Sequence, residues 1–236
     1  MNQESVAKNQ ESRIKNYGLI FIVFILYSLF LIPNSSTAQQ APELLLSWKA
    51  GNSVPPDYAG KVLPVNGARV VAGVDLLENN RLVDLAPYTI RWYVNDELGQ
   101  SGRGLRSFSF IADSLRGDAT VQAVVVGYKG NDVSKTITVP IVNPELVIDA
   151  PFPGNLISAG LNPIKTLLYF FNITGLDQIN FTWTANGAAT EENASNILDL
   201  DTRGLSRGTS VKLEASAQNI RQALESASAS TNLIIR

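Results

Sequence analysis

Neither cysteine nor histidine occurs among the 236 residues. A Ser-His-Asp triad, a thiol nucleophile and a conventional zinc site all need an imidazole or a thiolate, so these chemistries are excluded. No disulfide can form, and whatever folds must be held by core packing alone. A bacterial lipoprotein anchor is excluded as well, because it attaches through a cysteine just after the leader. Charge is modest, at 17% of residues. Of the 19 basic and 21 acidic side chains, three and two precede Ala38, leaving 16 and 19 beyond it. A near-neutral, slightly acidic chain offers no electrostatic case for nucleic acid or an anionic membrane surface. Nucleic acid is set aside as a partner.

One long apolar run is present. Lys8, Arg13 and Lys15 precede the uncharged stretch Tyr17 to Ile32, which ends at Pro33 and the small residues around Ser36 and Ala38. A basic flank, an apolar block and then small residues is the layout of a secretory leader with cleavage before Gln39. The alternative is an uncleaved anchor, although sixteen residues make a helix of roughly 24 Å against a hydrocarbon core of ~30 Å. Residues 1–38 are therefore read as signal peptide or membrane anchor with apolar core 17–32. Either way the basic end stays cytoplasmic and the rest is exported, extracellular or at the cell surface.

Beyond Pro42 the pattern changes to short alternating segments punctuated by Gly, Asn, Asp and Pro. In "TIRWYVNDE", Tyr88, Ile90, Trp92 and Val94 share one face; in "NFTWTANGA", Ile179, Phe181, Trp183 and Ala185 do. Each reads as a half-buried strand centred on tryptophan. The tryptophans lie 91 residues apart, as do Gly117 and Gly208 in "LRGDATVQAVVV" and "LSRGTSVKLEAS". The last strand of each copy, "SKTITVPIV" and "SASTNLIIR", corresponds too, and earlier strands are expected at "ELLLSWKA", "ARVVAGVDLL", "ELVIDA" and "KTLLYFFNI". At Asn219 to Ala227 a long hairpin fits the repeat better than a short helix. Six or seven antiparallel strands per copy predict an all-β fold of two tandem immunoglobulin-like β-sandwiches, residues 40–142 and 143–236. The short "VNPEL" linker is expected to hold them semi-rigidly, with Pro144 limiting the bend.

The pattern W-x-x-N-D/G, a glycine turn and then an alternating strand resembles the bacterial Ig-like and PKD-like repeats of exported surface proteins. The resemblance covers nearly all of the chain after the leader. The usual PKD motif W-x-F-G-D-G is replaced by "WYVNDE" and "WTANGA", so plain Ig-like is the closer likeness. It implies a fold and no activity.

Several short motifs have ordinary explanations. Arg116-Gly117-Asp118 spells the integrin tripeptide, but the second copy reads Arg207-Gly208-Thr209, so the shared element is a turn glycine. Asp199 and Asp201 fall on one strand face, with Asn143, Glu145 and Asp149 in or after the linker; no D-x-D-x-D-G loop gathers the six to eight oxygens that calcium takes. "GQSGRG", Gly99 to Gly104, has Arg103 where a nucleophile elbow needs glycine. Sequons at Asn172, Asn180 and Asn193 matter only in a cell with the transferase. The long loop Gly51 to Pro64 reads as a stiff crossover, with a recognition surface at Pro55-Pro56 and Tyr58 as the alternative.

No residue is singled out as catalytic, cofactor-binding or metal-ligating. The expectation is a non-catalytic, extracytoplasmic adhesion, interaction or spacer module whose partners are other proteins or cell-surface glycans. The alternative is a membrane-anchored subunit of an envelope assembly such as a pilus or secretion apparatus.

Overall fold

The computed structural model describes residues 41–113, 115, 117–150, 152–190 and 195–236. The expected leader or anchor lies outside the described residues, as do Arg116 and Asn193. Among the described residues no helix is long and apolar enough to cross a membrane. Pro42–Arg236 forms one compact unit.

The first half contains β1 (Glu43–Ala50), β2 (Arg69–Glu78), β3 (Arg81–Leu82), β4 (Thr89–Val94), β5 (Glu97–Arg103), β6 (Ser107–Ile111), β7 (Ala119–Tyr128) and β8 (Asn131–Val139). β2 pairs with β1 on one side and with β3 and β6 on the other, while the second sheet runs β5-β4-β7-β8. The other half repeats the plan with β9 (Glu145–Asp149), β10 (Leu156–Ile157), β11 (Leu161–Tyr169), β12 (Ile179–Ala185), β13 (Ala188–Ala189), β14 (Ile197–Asp201), β15 (Ser210–Asn219) and β16 (Ser226–Ile235). Its sheets are β14-β11-β9 and β13-β12-β15-β16-β10, with β10 parallel to β16.

Two facing antiparallel sheets, four strands against four in the first half and three against five in the second, with tryptophan on the central strands β4 and β12, make the immunoglobulin-like arrangement. Each sandwich is all-β and encloses its own core: Leu44, Val70, Leu76, Ile90, Trp92 and Val125 in the first, Ile164, Phe171, Phe181, Trp183, Leu213 and Leu233 in the second. The inward residues alternate along the long core strands β2, β7, β11 and β15, as a two-layer fold demands. The strand count exceeds the expected six or seven because two-residue pairings at β3, β10 and β13 are too short to leave a periodic signal.

The repeated phrase has a physical cause. Trp92 and Trp183 are almost fully buried, and each indole N–H donates at 2.9 Å, to Leu105 O and Ser195 O respectively. Three residues on, Asn95 (φ 49°) and Asn186 (φ 51°) open tight turns, followed by Asp96 (φ 66°) and Gly187 (φ 80°). Two consecutive left-handed residues make the turn whose twist matches a hairpin, and Asn, Asp and Gly adopt that conformation most readily. The asparagines also clasp the neighbouring strand. Asn95 Oδ1 accepts Thr120 N–H at 2.9 Å, and Asn186 Oδ1 accepts Lys212 N–H at 2.9 Å.

Candidate functional site: the seam between the sandwiches

β11 ends at Tyr169, earlier than the expected strand through Ile173, and the chain then turns sharply at Phe170. Phe170 has φ 65°, a conformation costing an aromatic residue roughly 1–2 kcal/mol. The turn presents both of its main-chain polar groups to the first sandwich. Phe170 N–H donates to Ser53 O at 2.7 Å, and Phe170 O accepts Asn52 Nδ2 at 2.8 Å. Ser53 N–H in turn donates to Phe171 O at 2.7 Å, closing an antiparallel bridge between the sandwiches. Asn52 is buried, and its Oδ1 makes no hydrogen bond among the described residues.

An apolar plug surrounds this bridge. Val65, Ala68 and Phe170 are buried together, with Val54, Tyr58, Leu63, Val142 and Tyr169 packed against them. The Tyr58 ring meets Tyr169 and Phe170 edge-on, each at 5.7 Å between centroids. Such contacts add to simple area burial. The Gly51 to Pro64 loop is not the expected crossover between sheets, because the strands it joins, β1 and β2, are neighbours in one sheet. It is the socket that receives the second sandwich, and Pro64 O accepts Val142 N–H at 3.0 Å to tie the linker in as well. The linker alone does not set the geometry.

The hairpin between β15 and β16 completes the seam. Gln222 Nε2 donates to Asn66 O at 3.3 Å. It sits where a Cβ on Gly67 would crowd it, and Gly67 has φ 79°, so both space and conformation call for glycine there. The hairpin is braced from inside by Glu225, only 3% exposed. Its carboxylate accepts Asn172 N–H on one oxygen and Asn219 Nδ2, at 2.8 Å, on the other. Hydrogen bonds to a charged acceptor are the stronger kind, which suits a group buried without a basic partner in the bonds described. Asn172 Nδ2 reaches Gly67 O at 3.4 Å.

The connections that form this seam are the β11–β12 loop and the β15–β16 hairpin. Their counterparts in the first sandwich lie at its opposite end and take no part in the seam. There Glu78 accepts from Tyr128 at 2.8 Å and from Lys129 at 2.7 and 2.8 Å, and Tyr88 packs edge-on against Tyr128 at 5.3 Å. The Lys129 hydrogen bond, aided by that from Tyr128, lowers the Glu78 carboxyl below its ordinary value. Desolvation, and then the bond to Glu78, raises the Tyr128 phenol.

The sequence motifs fall into structural roles. Gly117 and Gly208 have φ of 73° and 86°, the left-handed turn conformation expected of them, and Asp118 Oδ1 accepts Ile141 N–H at 3.1 Å. Asp199 and Asp201 share the outer face of β14, and Arg203 grips Asp201 through Nε at 2.9 and 3.0 Å and Nη2 at 2.5 Å. "GQSGRG" lies on the extended edge strand β5 and its turn, not at a strand-to-helix elbow. The Asn172 sequon is part of the seam, and Asn180 lies exposed on β12. No signal in the sequence marked Asn52, Phe170 or Glu225.

No protein-family model matches the chain, and no curated protein matches it either. Solved structures give distant likenesses. Fibronectin(III)-like modules of Clostridium thermocellum CbhA are 12% identical, with TM-score 0.29, over 81% of this chain and 94% of theirs. Murine CEACAM1b is 14% identical, with TM-score 0.28, over 81% and 100%. Three N-terminal domains of the bacteriophage RB49 outer capsid protein Hoc are 9% identical, with TM-score 0.44, over 83% of this chain and 59% of that one. The immunoglobulin-like assignment rests on strand order and the tryptophan-centred cores, not on these likenesses.

Proposed function

We propose that the chain is a non-catalytic, exported interaction or spacer module, in which residues 40–142 and 143–236 are two sandwiches held in a set orientation. The observation that carries this reading is the seam. The two loop connections of the second sandwich that could otherwise engage a ligand are spent on gripping the first. A chain that commits buried polar groups and a strained Phe170 to a joint gains orientation from it rather than chemistry. The leader argues for export, with other proteins or surface glycans as partners at the free end of the first sandwich.

The test is the N-terminal peptide of the native protein, read by mass spectrometry on membrane, external and cytosolic fractions. A start at Gln39 in the external fraction marks a released module, and an intact leader in the membrane marks a tethered one. Recovery of the intact chain in the cytosolic fraction alone overturns the proposal.

A further inference from the structure

A buried carboxylate stands where the two seam elements of the second sandwich meet. Glu225 is 3% exposed, at the end of the β15–β16 hairpin. Its main-chain N–H donates to Gln222 O at 2.8 Å, and Gln222 is the residue whose side chain reaches Asn66 O in the first sandwich. One carboxylate oxygen accepts Asn172 N–H. Asn172 follows Phe171, whose carbonyl accepts Ser53 N–H, and its own Nδ2 reaches Gly67 O at 3.4 Å. Glu225 thus fastens the hairpin to the β11–β12 loop just where both touch the first sandwich.

These bonds call for the charged form. A main-chain N–H such as that of Asn172 can only donate. Asn219 Oδ1 accepts Arg221 N–H at 2.9 Å, which turns Asn219 Nδ2 toward Glu225, at 2.8 Å. Two donors therefore face the two oxygens, and a carboxylate accepts on both without a proton of its own. Hydrogen bonds of this kind favour the charged form. Protonation places a hydrogen on one oxygen, weakens both bonds and leaves a buried N–H poorly paired. By the 91-residue repeat, Tyr128 is the sister of Asn219, and it also donates to a carboxylate. There, however, Lys129 supplies a cation to Glu78. The charged groups on the elements around Glu225 are Arg221 on the hairpin, Asp177 on the β11–β12 loop, Glu145 at the start of β9, and Arg69 and Asp113 flanking the Gly67 turn. All five are exposed, and none is bonded to the Glu225 carboxylate.

The joint also carries two standing costs. Asn52 Oδ1 is buried without a hydrogen bond among the described residues, and Phe170 is held at φ 65°. Each sandwich, by contrast, has its own tryptophan-centred core. Loss of the Glu225 bonds therefore falls on the seam before it falls on either core. We propose that the seam is an acid-released joint: protonation of Glu225 frees the hairpin and the β11–β12 loop from each other, and the two sandwiches, each still folded, lose their set orientation. Ionised Glu225 belongs to the closed joint, so the orientation is fixed at neutral pH and released as pH falls. The inference rests on the seam setting that orientation.

Förster transfer between dyes at Ser134→Cys and Ser228→Cys in the full chain, followed from about pH 8 to about pH 3, spans the carboxyl range and tests this. Near-ultraviolet circular dichroism, which reports the buried Trp92 and Trp183, shows whether both cores stay folded. The parent is expected to show one narrow transfer population at neutral pH that broadens reversibly in acid while the dichroism is unchanged. The carbon-13 resonance of the Glu225 carboxyl should titrate at the same midpoint. Glu225→Gln, uncharged at every pH, is expected to give the broad population throughout, and Asp177→Asn to keep the parent's response. A narrow population that persists until the dichroism collapses overturns the proposal and leaves the seam as a rigid joint, whereas a broad population at neutral pH overturns both. An acid response retained in Glu225→Gln overturns the proposal as well. Should that variant fail to fold, the resonance decides, because a Glu225 carboxyl that titrates apart from the opening contradicts the mechanism.

Discussion

In the first sandwich Trp92 donates to Leu105 O and Asn95 clasps Thr120; in the second Trp183 donates to Ser195 O and Asn186 clasps Lys212. The frame is the same in both copies, down to the positive φ of both residues in the turn that follows each tryptophan. The ends differ. The second sandwich spends its β11–β12 loop and β15–β16 hairpin on the seam, whereas the matching connections of the first form the separate Glu78, Tyr88, Tyr128 and Lys129 cluster. A repeated fold therefore keeps what its core needs and varies what its surroundings use. The shared residues report stability, and the divergent ones are where function is to be sought.

The sharpest way to break the comparison is to empty each core in turn. Trp92→Ala and Trp183→Ala are each expected to destabilise their own sandwich by about 3–5 kcal/mol, from lost burial and the cavity left behind. Chemical denaturation should report equal losses if the two frames are equivalent. A large loss for one and a negligible loss for the other would show that the second tryptophan only imitates the first.

Phe170→Ala comes next, because it addresses what the copies do not share. It removes the ring from the plug with Tyr58 while leaving the backbone at φ 65°. The expected cost is about 3 kcal/mol for a buried phenylalanine. It should appear as a split of one unfolding transition into two, with the first sandwich melting as before. A single transition in the variant would mean that the seam does not couple the domains.

Smaller effects test the turns. Asn95→Ala and Asn186→Ala each lose a hydrogen bond and force alanine into a left-handed conformation, at about 1–2 kcal/mol. Glycine at the same positions keeps the conformation and loses only the clasp, so Asn→Gly should cost less than Asn→Ala in both copies.

The smallest effect concerns the exposed pair Asp201 and Arg203. Arg203, through its side-chain bonds first and its main-chain N–H second, lowers the Asp201 carboxyl to about 2 from 3.8. A carboxyl depressed in the folded state contributes stability above its unfolded value, and that contribution is lost as pH falls through the folded value. The contribution should therefore fade between about pH 4 and about pH 2. Both groups are solvent-exposed, so NMR titration of Asp201 should show the change clearly while the pair adds little to the midpoint of denaturation. Arg203→Ala should move the titration up toward the ordinary carboxylate range, the main-chain N–H at that position still holding it somewhat below.

The sequence was most legible where a residue's role is local. Alternation placed "ELLLSWKA" on β1, and the tryptophan-asparagine spacing located both central hairpins, because a core face and a tight turn each impose their residue types within a few positions. The hairpin over Asn219 to Ala227 was legible for the same reason, since β15 and β16 flank it in register. The seam was not. Asn52 and Phe170 are 118 residues apart, and neither residue type signals a partner at that distance. Phe170 and Phe171 continued the apolar pattern of β11, so the strand was expected to run on. The positive φ that ends it is imposed by contact with the first sandwich. Nothing local marks Glu225 as buried, because the hairpin that encloses it closes only in the folded chain.

The central claim, that the seam fixes the orientation of the two sandwiches, is tested most directly by a distance measured across it. The absence of cysteine allows spin labels to be placed cleanly at Ser134→Cys on β8 and Ser228→Cys on β16, both exposed. Pulsed electron paramagnetic resonance on the doubly labelled chain should then give one narrow distance distribution, which broadens when Phe170→Ala is added. A broad distribution in the parent, unchanged by Phe170→Ala, would contradict the account.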